Sequence, residues 1–209
     1  MATEPSKPKR PRARRTSTAP RNLLSPVRQK VAGPGQEPKR GSGDASGIRR
    51  IVTIGVYGST EAGFFAALRA AGVDTFCDLR QRRGVRGSDY AFANHQRLET
   101  RLTEMGIRYL HFKDLAPSQA LRERQKAADT AQRTAKRQRA GLSELFVTGY
   151  REECLRAFNS RGFIGQLGPE ARIVALFCVE RAPTACHRSL VAERLQHDLG
   201  VEVIHLMPE

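Results

Sequence analysis

Residues 172–200 read RIVALFCVERAPTACHRSLVAERLQHDLG, and this stretch decides the fold. Ile173–Phe177 is an almost unbroken apolar run, which is typical of a strand at the centre of a parallel sheet. Residues 189–199 have the pattern of a helix, and Gly200 is suited to end it. Ligands of open α/β sheets bind beyond the carboxyl ends of strands, before the next helix. The loop over 178–188 is therefore a candidate site.

Four further segments have the length and apolar character of buried strands. They are residues 51–55, 73–77, 107–112 and 201–206. Helical patterns separate the strands, beginning at Ser59 or Thr60 and ending at Gly72, then over about 93–105, 119–140 and 142–158. This alternation predicts one doubly wound α/β domain, with a mostly parallel five-stranded sheet and helices on both faces.

The first 50 residues differ in composition from the rest of the chain. They hold 13 Lys or Arg against 3 Asp or Glu, are rich in Pro, Gly and Ser, and have few large apolar side chains. Such a segment buries too little apolar surface to offset its conformational entropy. We therefore expect residues 1–48 to be a disordered basic tail and residues 49–209 to be the α/β domain.

The formal net charge of +15 is unevenly distributed. Residues 118–140 hold 7 basic and 2 acidic residues, whereas the rest of the chain after residue 50 holds 16 of each. The folded body is thus expected to be neutral, and DNA or RNA is a possible partner of the two basic segments. Residues 118–140 favour a helix but lack a wide apolar stripe, which predicts a charged arm, a lid over the site or a partner-binding surface.

The four cysteines are expected to be thiols or ligands and not disulfides. No apolar core follows the positively charged start of the chain, and no apolar run is long enough to span a membrane. These features predict a cytoplasmic protein without a membrane partner.

The loop after the second strand is a candidate anion-binding site. Asp78 ends that strand, and Arg80, Arg83 and Arg86 follow among glycines, where guanidinium groups would bind a phosphate or carboxylate bidentately. The alternative is a solvated basic loop in which Asp78 pairs with Arg80.

Two other strand ends are expected to reach the same edge of the sheet. Gly55, Tyr57 and Gly58 follow the first strand, where the glycines permit either close approach to a phosphate or simply a tight turn. His111 ends the third strand. We expect one pocket formed by residues 55–58, 78–86, 111–114 and 178–188, since each stretch leaves the carboxyl end of a strand.

Several motifs together resemble a known family. They are Thr53-Ile54-Gly55-Val56-Tyr57-Gly58, Asp78-Leu79-Arg80 with Arg83 and Arg86, Tyr90-Ala91-Phe92, Gly106-Ile107-Arg108-Tyr109, Asp114-Leu115-Ala116-Pro117, and Phe177-Cys178-Val179-Glu180 with Cys186-His187-Arg188-Ser189-Leu190. In this order the set resembles the bacterial and archaeal family catalogued as domain of unknown function 488. Many relatives have Leu-Gly-Gly where this chain has Leu-Ala-Pro. The resemblance implies an α/β domain with an uncharacterised site, and no established reaction.

The loop over 178–188 allows several kinds of chemistry. Cys178, Cys186 and His187 would be the ligands if a metal is present, although their spacing is not that of a common zinc motif. The two cysteines could instead form a redox pair. Alternatively, Cys186 is a nucleophile, since a thiol at a helix start beside His and Arg has a lowered pKa.

Another interpretation gives the cysteines only a packing role. Arg188 and the arginines after Asp78 would then bind an anion, Glu180 would orient an arginine or a ribose hydroxyl, and His187 would donate a proton. In the purely structural alternative, Glu180 and Arg188 form a salt bridge that fixes the loop.

The residues favour an enzyme that acts on a phosphate-bearing substrate, such as a nucleotide or nucleic-acid component, by hydrolysis or group transfer. The catalytic candidates are Cys186, His187, Glu180 and Asp78. The anion- or substrate-binding candidates are Arg80, Arg83, Arg86, Arg188, Gly55, Tyr57, Gly58 and His111. No cofactor is expected. The alternatives are a non-catalytic nucleic-acid-associated module and a cysteine/histidine metal-binding protein.

Overall fold

A computed structural model describes residues 47–209 of the chain, and the predicted tail lies outside the described residues except for its last two positions. The strands are β1 (Arg50–Ile54), β2 (Thr75–Asp78), β3 (Arg108–His111), β4 (Ile173–Phe177) and β5 (Glu202–Leu206). The α-helices are α1 (Glu61–Ala70), α2 (His95–Glu104), α3 (Gln119–Ala131), α4 (Glu144–Tyr150), α5 (Ser160–Leu167) and α6 (His187–Leu199). Within the described residues, no helix is long and apolar enough to cross a membrane.

The sheet confirms the predicted α/β class, and every strand pair in it is parallel. The strand order is β3-β2-β4-β1-β5, so the apolar run that suggested a central strand is the middle strand. Ile54 and Asp78 both pair in register with Phe177, and Asp78 also pairs with His111. The carboxyl ends of four strands are therefore level with one another, and the loops that follow them meet at one edge.

Helices cover both faces of the sheet. Along each strand, successive residues alternate between two buried clusters, as Ile51 and Val52 do in β1. One cluster contains Phe64 of α1 and Leu98 of α2, and the other contains buried residues of α3 to α6. The near-continuous apolar character of the strands follows from this burial on both faces.

The helix after β3 is shorter than its composition suggests. The predicted helix over 119–140 ends at Ala131, and only a single turn at Lys136–Gln138 follows. Arg133 has a positive φ of 52°, which a continuing α-helix does not allow. The sequence patterns also missed α5, which Asn159 caps by accepting a hydrogen bond from the Gly162 amide.

Asp74 joins the amino ends of neighbouring strands. Its carboxylate accepts hydrogen bonds from the amides of Arg172 and Ile173, at 3.0 Å and 2.7 Å, and from the Thr75 hydroxyl at 2.7 Å. Its carbonyl oxygen also accepts from the Arg108 amide, at 2.9 Å. Asp74 thus sets the alignment of β2, β3 and β4 from the end opposite the site.

We predict that Asp74→Ala lowers the free energy of unfolding by about 1–3 kcal/mol, because the amides of Arg172 and Ile173 lose a charged acceptor. Urea unfolding followed by circular dichroism measures the change. Asp114→Ala, at an exposed position, is the control and should change stability little. Equal stability of the two variants would contradict the role of Asp74.

Candidate functional site

A cavity of about 760 Å³ opens at the edge of the sheet where the strands end. Its lining includes Tyr57 from the loop after β1, residues 80–82 and 84–86 after β2, and residues 178–180 and 185–187 after β4. The remaining wall comes from Pro117, α3, the connection after it and Phe146 of α4. Lining residues with positive side chains are Arg80, Arg82, Arg86, Arg122, Lys126, Lys136, Arg137 and Arg139, and those with carboxylates are Glu123, Asp129 and Glu180. The cavity therefore has a positive wall.

Asp78 and Arg80 form a buried, bidentate ion pair beneath this wall. Arg80 donates from Nε and Nη2 to the two carboxylate oxygens, at 2.8 Å and 2.7 Å, and Asp78 is completely buried. Arg80 also donates to the Ala93 carbonyl oxygen at 2.9 Å and lies over the Phe177 ring. Asp78 does not line the cavity. The pair fixes the start of the loop that carries Arg82 and Arg86.

Tyr109 and His111 support the same pair from β3. The Tyr109 hydroxyl donates to Asp78 at 2.7 Å, and burial together with the Asp78 charge raises the pKa of this phenol. His111 Nε2 lies 2.9 Å from the Arg80 carbonyl oxygen, so Nε2 must be the protonated nitrogen of that bond. His111 was expected in the pocket, but it lies behind the loop and does not line the cavity.

Cys178, Cys186 and His187 form a compact group at the cavity. Nδ1 of His187 lies 3.9 Å from each sulfur atom, and the three potential ligand atoms are all within 4.8 Å of one another. All three residues are buried and line the cavity. On the other side of the ring, Nε2 lies 3.2 Å from the Leu79 carbonyl oxygen. The sequence left open whether the two cysteines meet, and the structure brings them together.

The two thiols have different acidities. The hydrogen bond with Cys186, together with burial, raises the pKa of Cys178 well above its usual value. Burial acts in the same direction on Cys186, but the hydrogen bond with Cys178 and the neighbouring Arg188 and His187 outweigh it and lower its pKa well below the usual value. Ionisation of one thiol thus opposes ionisation of the other, since the two groups are buried side by side.

Glu180 is the most buried carboxylate of the cavity lining. Its Oε1 lies 3.3 Å from Lys136 Nζ and 3.4 Å from Arg139 Nη2, and only 5% of the residue is exposed. Burial raises the pKa of this carboxyl group despite the two cations. The fold thus places Glu180, a poorly solvated acid, within a basic wall.

Arg188 lies beneath the loop and not in the cavity. It is completely buried, and its two terminal nitrogens donate to the carbonyl oxygens of Glu180 and Arg181, at 2.5 Å and 2.8 Å. The salt bridge suggested for the Glu180 carboxylate is therefore wrong, because the guanidinium binds the main chain of that residue. Arg188 was also predicted to bind an anion, but its terminal nitrogens bond the main chain of the loop and it does not line the cavity.

The loop after β1 fits closely against the loop after β4. A Cβ atom on Gly55 would lie only 1.8 Å from the Glu180 carbonyl oxygen, so only glycine permits this approach. Gly58 donates its amide to the Tyr90 hydroxyl at 3.1 Å. Tyr57 and Tyr90 pack edge to face, and the Arg137 guanidinium lies 4.9 Å and 5.3 Å from their ring centroids. Of these residues, Tyr57 and Arg137 line the cavity.

Sequence reasoning missed the specific site residues of α3 and the following connection. Arg139 joins them to the loop after β4, because it donates to Asp129 at 2.9 Å and to the Ala185 carbonyl oxygen at 3.1 Å. Gln125 continues this network through a 2.7 Å bond to Asp129. The segment over 118–140 is thus a wall of the cavity. The lack of a wide apolar stripe in residues 118–140 predicted a charged arm, a lid or a partner-binding surface. It did not identify these contacts.

Of the predicted anion-binding arginines, only Arg80 and Arg86 line the cavity. Arg83 does not line it, and its carbonyl oxygen accepts from the His95 amide at 3.0 Å. Cys186, His187 and Glu180 line the cavity as expected, whereas residues 111–114 do not. Three of the four predicted stretches, 55–58, 78–86 and 178–188, therefore contribute to the cavity. Helix α3 forms the wall that residues 111–114 were expected to form.

The sequence model of one protein family matches this chain. It is described as domain of unknown function DUF488, and it matches residues 61–195, which span α1 to most of α6. No curated protein and no solved structure matches the chain.

We predict that Gly55→Ala destabilises the protein by about 1–3 kcal/mol, because the new methyl group would displace the Glu180 main chain. Gly165→Ala is the control, since that position in α5 is open and alanine should stabilise the helix by about 0.5–1 kcal/mol. Thermal unfolding of both variants measures the difference. Gly55→Ala with wild-type stability would contradict the close approach.

Proposed function

We propose that this chain, which belongs to the family of domain of unknown function DUF488, is an enzyme that acts on a phosphate-bearing substrate of the nucleotide class. The observation that carries this proposal is the excess of Arg and Lys over carboxylates in the cavity at the carboxyl ends of the strands. Parallel α/β sheets place their ligands at this edge. A cavity of about 760 Å³ also lies within the range of about 300–1,000 Å³ that is usual for small-molecule sites.

Phosphate recognition is assigned to the exposed cations of the wall. Arg82, Arg86 and Lys126 are exposed, and no carboxylate within residues 47–209 forms a salt bridge with them. Arginine binds phosphate through two parallel hydrogen bonds. Arg80 is better suited to positioning, since Asp78 and the Ala93 carbonyl oxygen already hold its guanidinium.

The aromatic side of the cavity favours a ligand with a ring. Tyr57 lies in the lining, next to Tyr90 and beneath Arg137. Aromatic and guanidinium groups both stack on nucleobases. A nucleotide would place its phosphate against the arginines after β2 and its base against this aromatic pair.

Glu180 is the proposed acid–base residue. It is the most buried carboxylate of the lining, and it lies two residues after Cys178, one of the thiols beside His187. A carboxyl group held in this way can give or take a proton during hydrolysis or group transfer. The proposal places Asp78 outside the chemistry, because its oxygens bind Arg80 and Tyr109.

A non-catalytic nucleic-acid-associated module is the second candidate function. The exposed basic side chains of α3 favour it, because Arg122 and Lys126 belong to the positive wall and Arg124, which does not line the cavity, adds a further exposed cation on the same helix. Such a module would bind DNA or RNA with a steep salt dependence and without turnover.

We predict that Arg86→Gln weakens nucleotide binding by at least about tenfold, because a charged hydrogen bond contributes about 1.5–3 kcal/mol. A thermal-shift screen of the full chain over nucleotides and inorganic phosphate identifies the ligand, and calorimetry then measures its affinity. Arg83→Gln is the matched control in the same loop and should bind normally, since Arg83 does not line the cavity. Failure of every nucleotide and of phosphate to stabilise the protein would contradict the proposed site.

We predict that Glu180→Gln lowers turnover of the identified ligand by about 10²–10⁴-fold and leaves ligand affinity largely unchanged. The amide keeps the size of the side chain but cannot exchange a proton. Glu123→Gln is the control at an exposed lining position. Full activity of Glu180→Gln would refute the acid–base role. Binding of DNA or RNA without turnover by the wild type would instead favour the second candidate function.

A further inference from the structure

Cys178, Cys186 and His187 have the arrangement of a metal site. We propose that these three residues bind a zinc ion in tetrahedral geometry, with the fourth position open to the cavity. The sequence made this chemistry only one of several alternatives, because a Cys-x7-Cys-His spacing is not a common zinc motif. The folded loop now favours a metal site, because it brings one nitrogen and two sulfur atoms within 4.8 Å of one another.

The distances between the potential ligand atoms suit zinc. With Zn–S of about 2.3 Å and Zn–N of about 2.0 Å, tetrahedral angles place sulfur and nitrogen roughly 3.5 Å apart. His187 Nδ1 lies 3.9 Å from the sulfur of Cys178 and equally far from that of Cys186. A shift of a few tenths of an ångström would bring the nitrogen to this separation from each sulfur.

The orientation of the His187 ring is a second, independent observation. A carbonyl oxygen can only accept, so the 3.2 Å contact between Nε2 and the Leu79 carbonyl places the proton on Nε2. In the neutral ring, Nδ1 then presents its lone pair to the two sulfur atoms. A backbone carbonyl that fixes the free nitrogen is the usual support of a metal-binding histidine.

The type and charge of the ligands favour zinc over harder ions. Thiolate and imidazole groups bind zinc well, whereas magnesium and calcium prefer oxygen ligands.

The cavity gives the proposed ion a place in the chemistry. All three ligands line it, so water or a phosphate oxygen could reach the fourth position. Zinc sites with three protein ligands activate water or polarise a bound oxygen. This role for the open position rests on the proposed function, whereas the existence of the metal site does not.

Metal analysis of the purified full-length protein tests the site. We expect about one zinc ion per chain after dialysis, since one set of three ligands is present. Cys178→Ser and Cys186→Ser should each weaken zinc binding by at least about 100-fold, because even the loss of a group that only orients a ligand costs 10–100-fold. Cys154→Ser is the matched control, since Cys154 lies in the helical turn Arg151–Leu155 and does not line the cavity. Unchanged zinc affinity in both ligand variants would overturn the proposal.

Cobalt substitution of the wild type keeps the test valid if the variants do not fold. Chelator-treated protein titrated with Co²⁺ should show sulfur-to-cobalt charge-transfer bands and the visible bands of tetrahedral cobalt. Added azide should alter the visible bands through the open position. Folded protein that binds neither Zn²⁺ nor Co²⁺ would overturn the metal site, and a spectrum insensitive to azide would overturn the open position. Neither readout uses a nucleotide, so a metal-loaded protein that binds no nucleotide would refute only the proposed function.

Discussion

A buried guanidinium holds the loop on which the site depends. Arg188 donates to the carbonyl oxygens of Glu180 and Arg181, so the first turn of α6 anchors the segment that follows β4. An uncompensated charge is costly to bury, and these two carbonyls offset only part of that cost. Gly55 completes the constraint because it allows the neighbouring loop to touch the Glu180 main chain. The positions of Cys178 and Glu180 both follow from this anchor.

The fold could be predicted because its signals are local. Apolar runs such as Ile173–Phe177 identify buried strands, and the alternation of strands with helices leaves a doubly wound parallel sheet as the simplest arrangement. The edge of the site follows from the same reasoning, since loops after parallel strands meet at one edge. Glu180 and Cys186 were predicted at this edge and line the cavity, whereas Asp78 ends a strand at the same edge but does not line it.

The role of each residue could not be predicted, because it depends on contacts between distant parts of the chain. In the sequence, Asp78 has the position of a catalytic acid. In the structure, its carboxylate accepts a hydrogen bond from Tyr109, which lies 31 residues later in the chain. Arg139 gave no separate signal within a charged segment, yet it bonds the Ala185 carbonyl 46 residues away. Propensity also extended α3 too far, since it does not detect the left-handed backbone at Arg133. Composition describes such a segment as polar but does not show which surface it covers.

The position of Arg137 over Tyr57 and Tyr90 has a consequence for ligand affinity. The guanidinium already stacks on the aromatic surface that an incoming ring would use. A ligand ring must therefore exchange one cation–π contact, worth about 0.5–1 kcal/mol at an exposed site, for a stacking contact of about 1–3 kcal/mol. For the proposed nucleotide, the net gain from stacking is then at most about 2.5 kcal/mol. Contacts between the phosphate and the arginines, at about 1.5–3 kcal/mol each, would supply more of the affinity than the base.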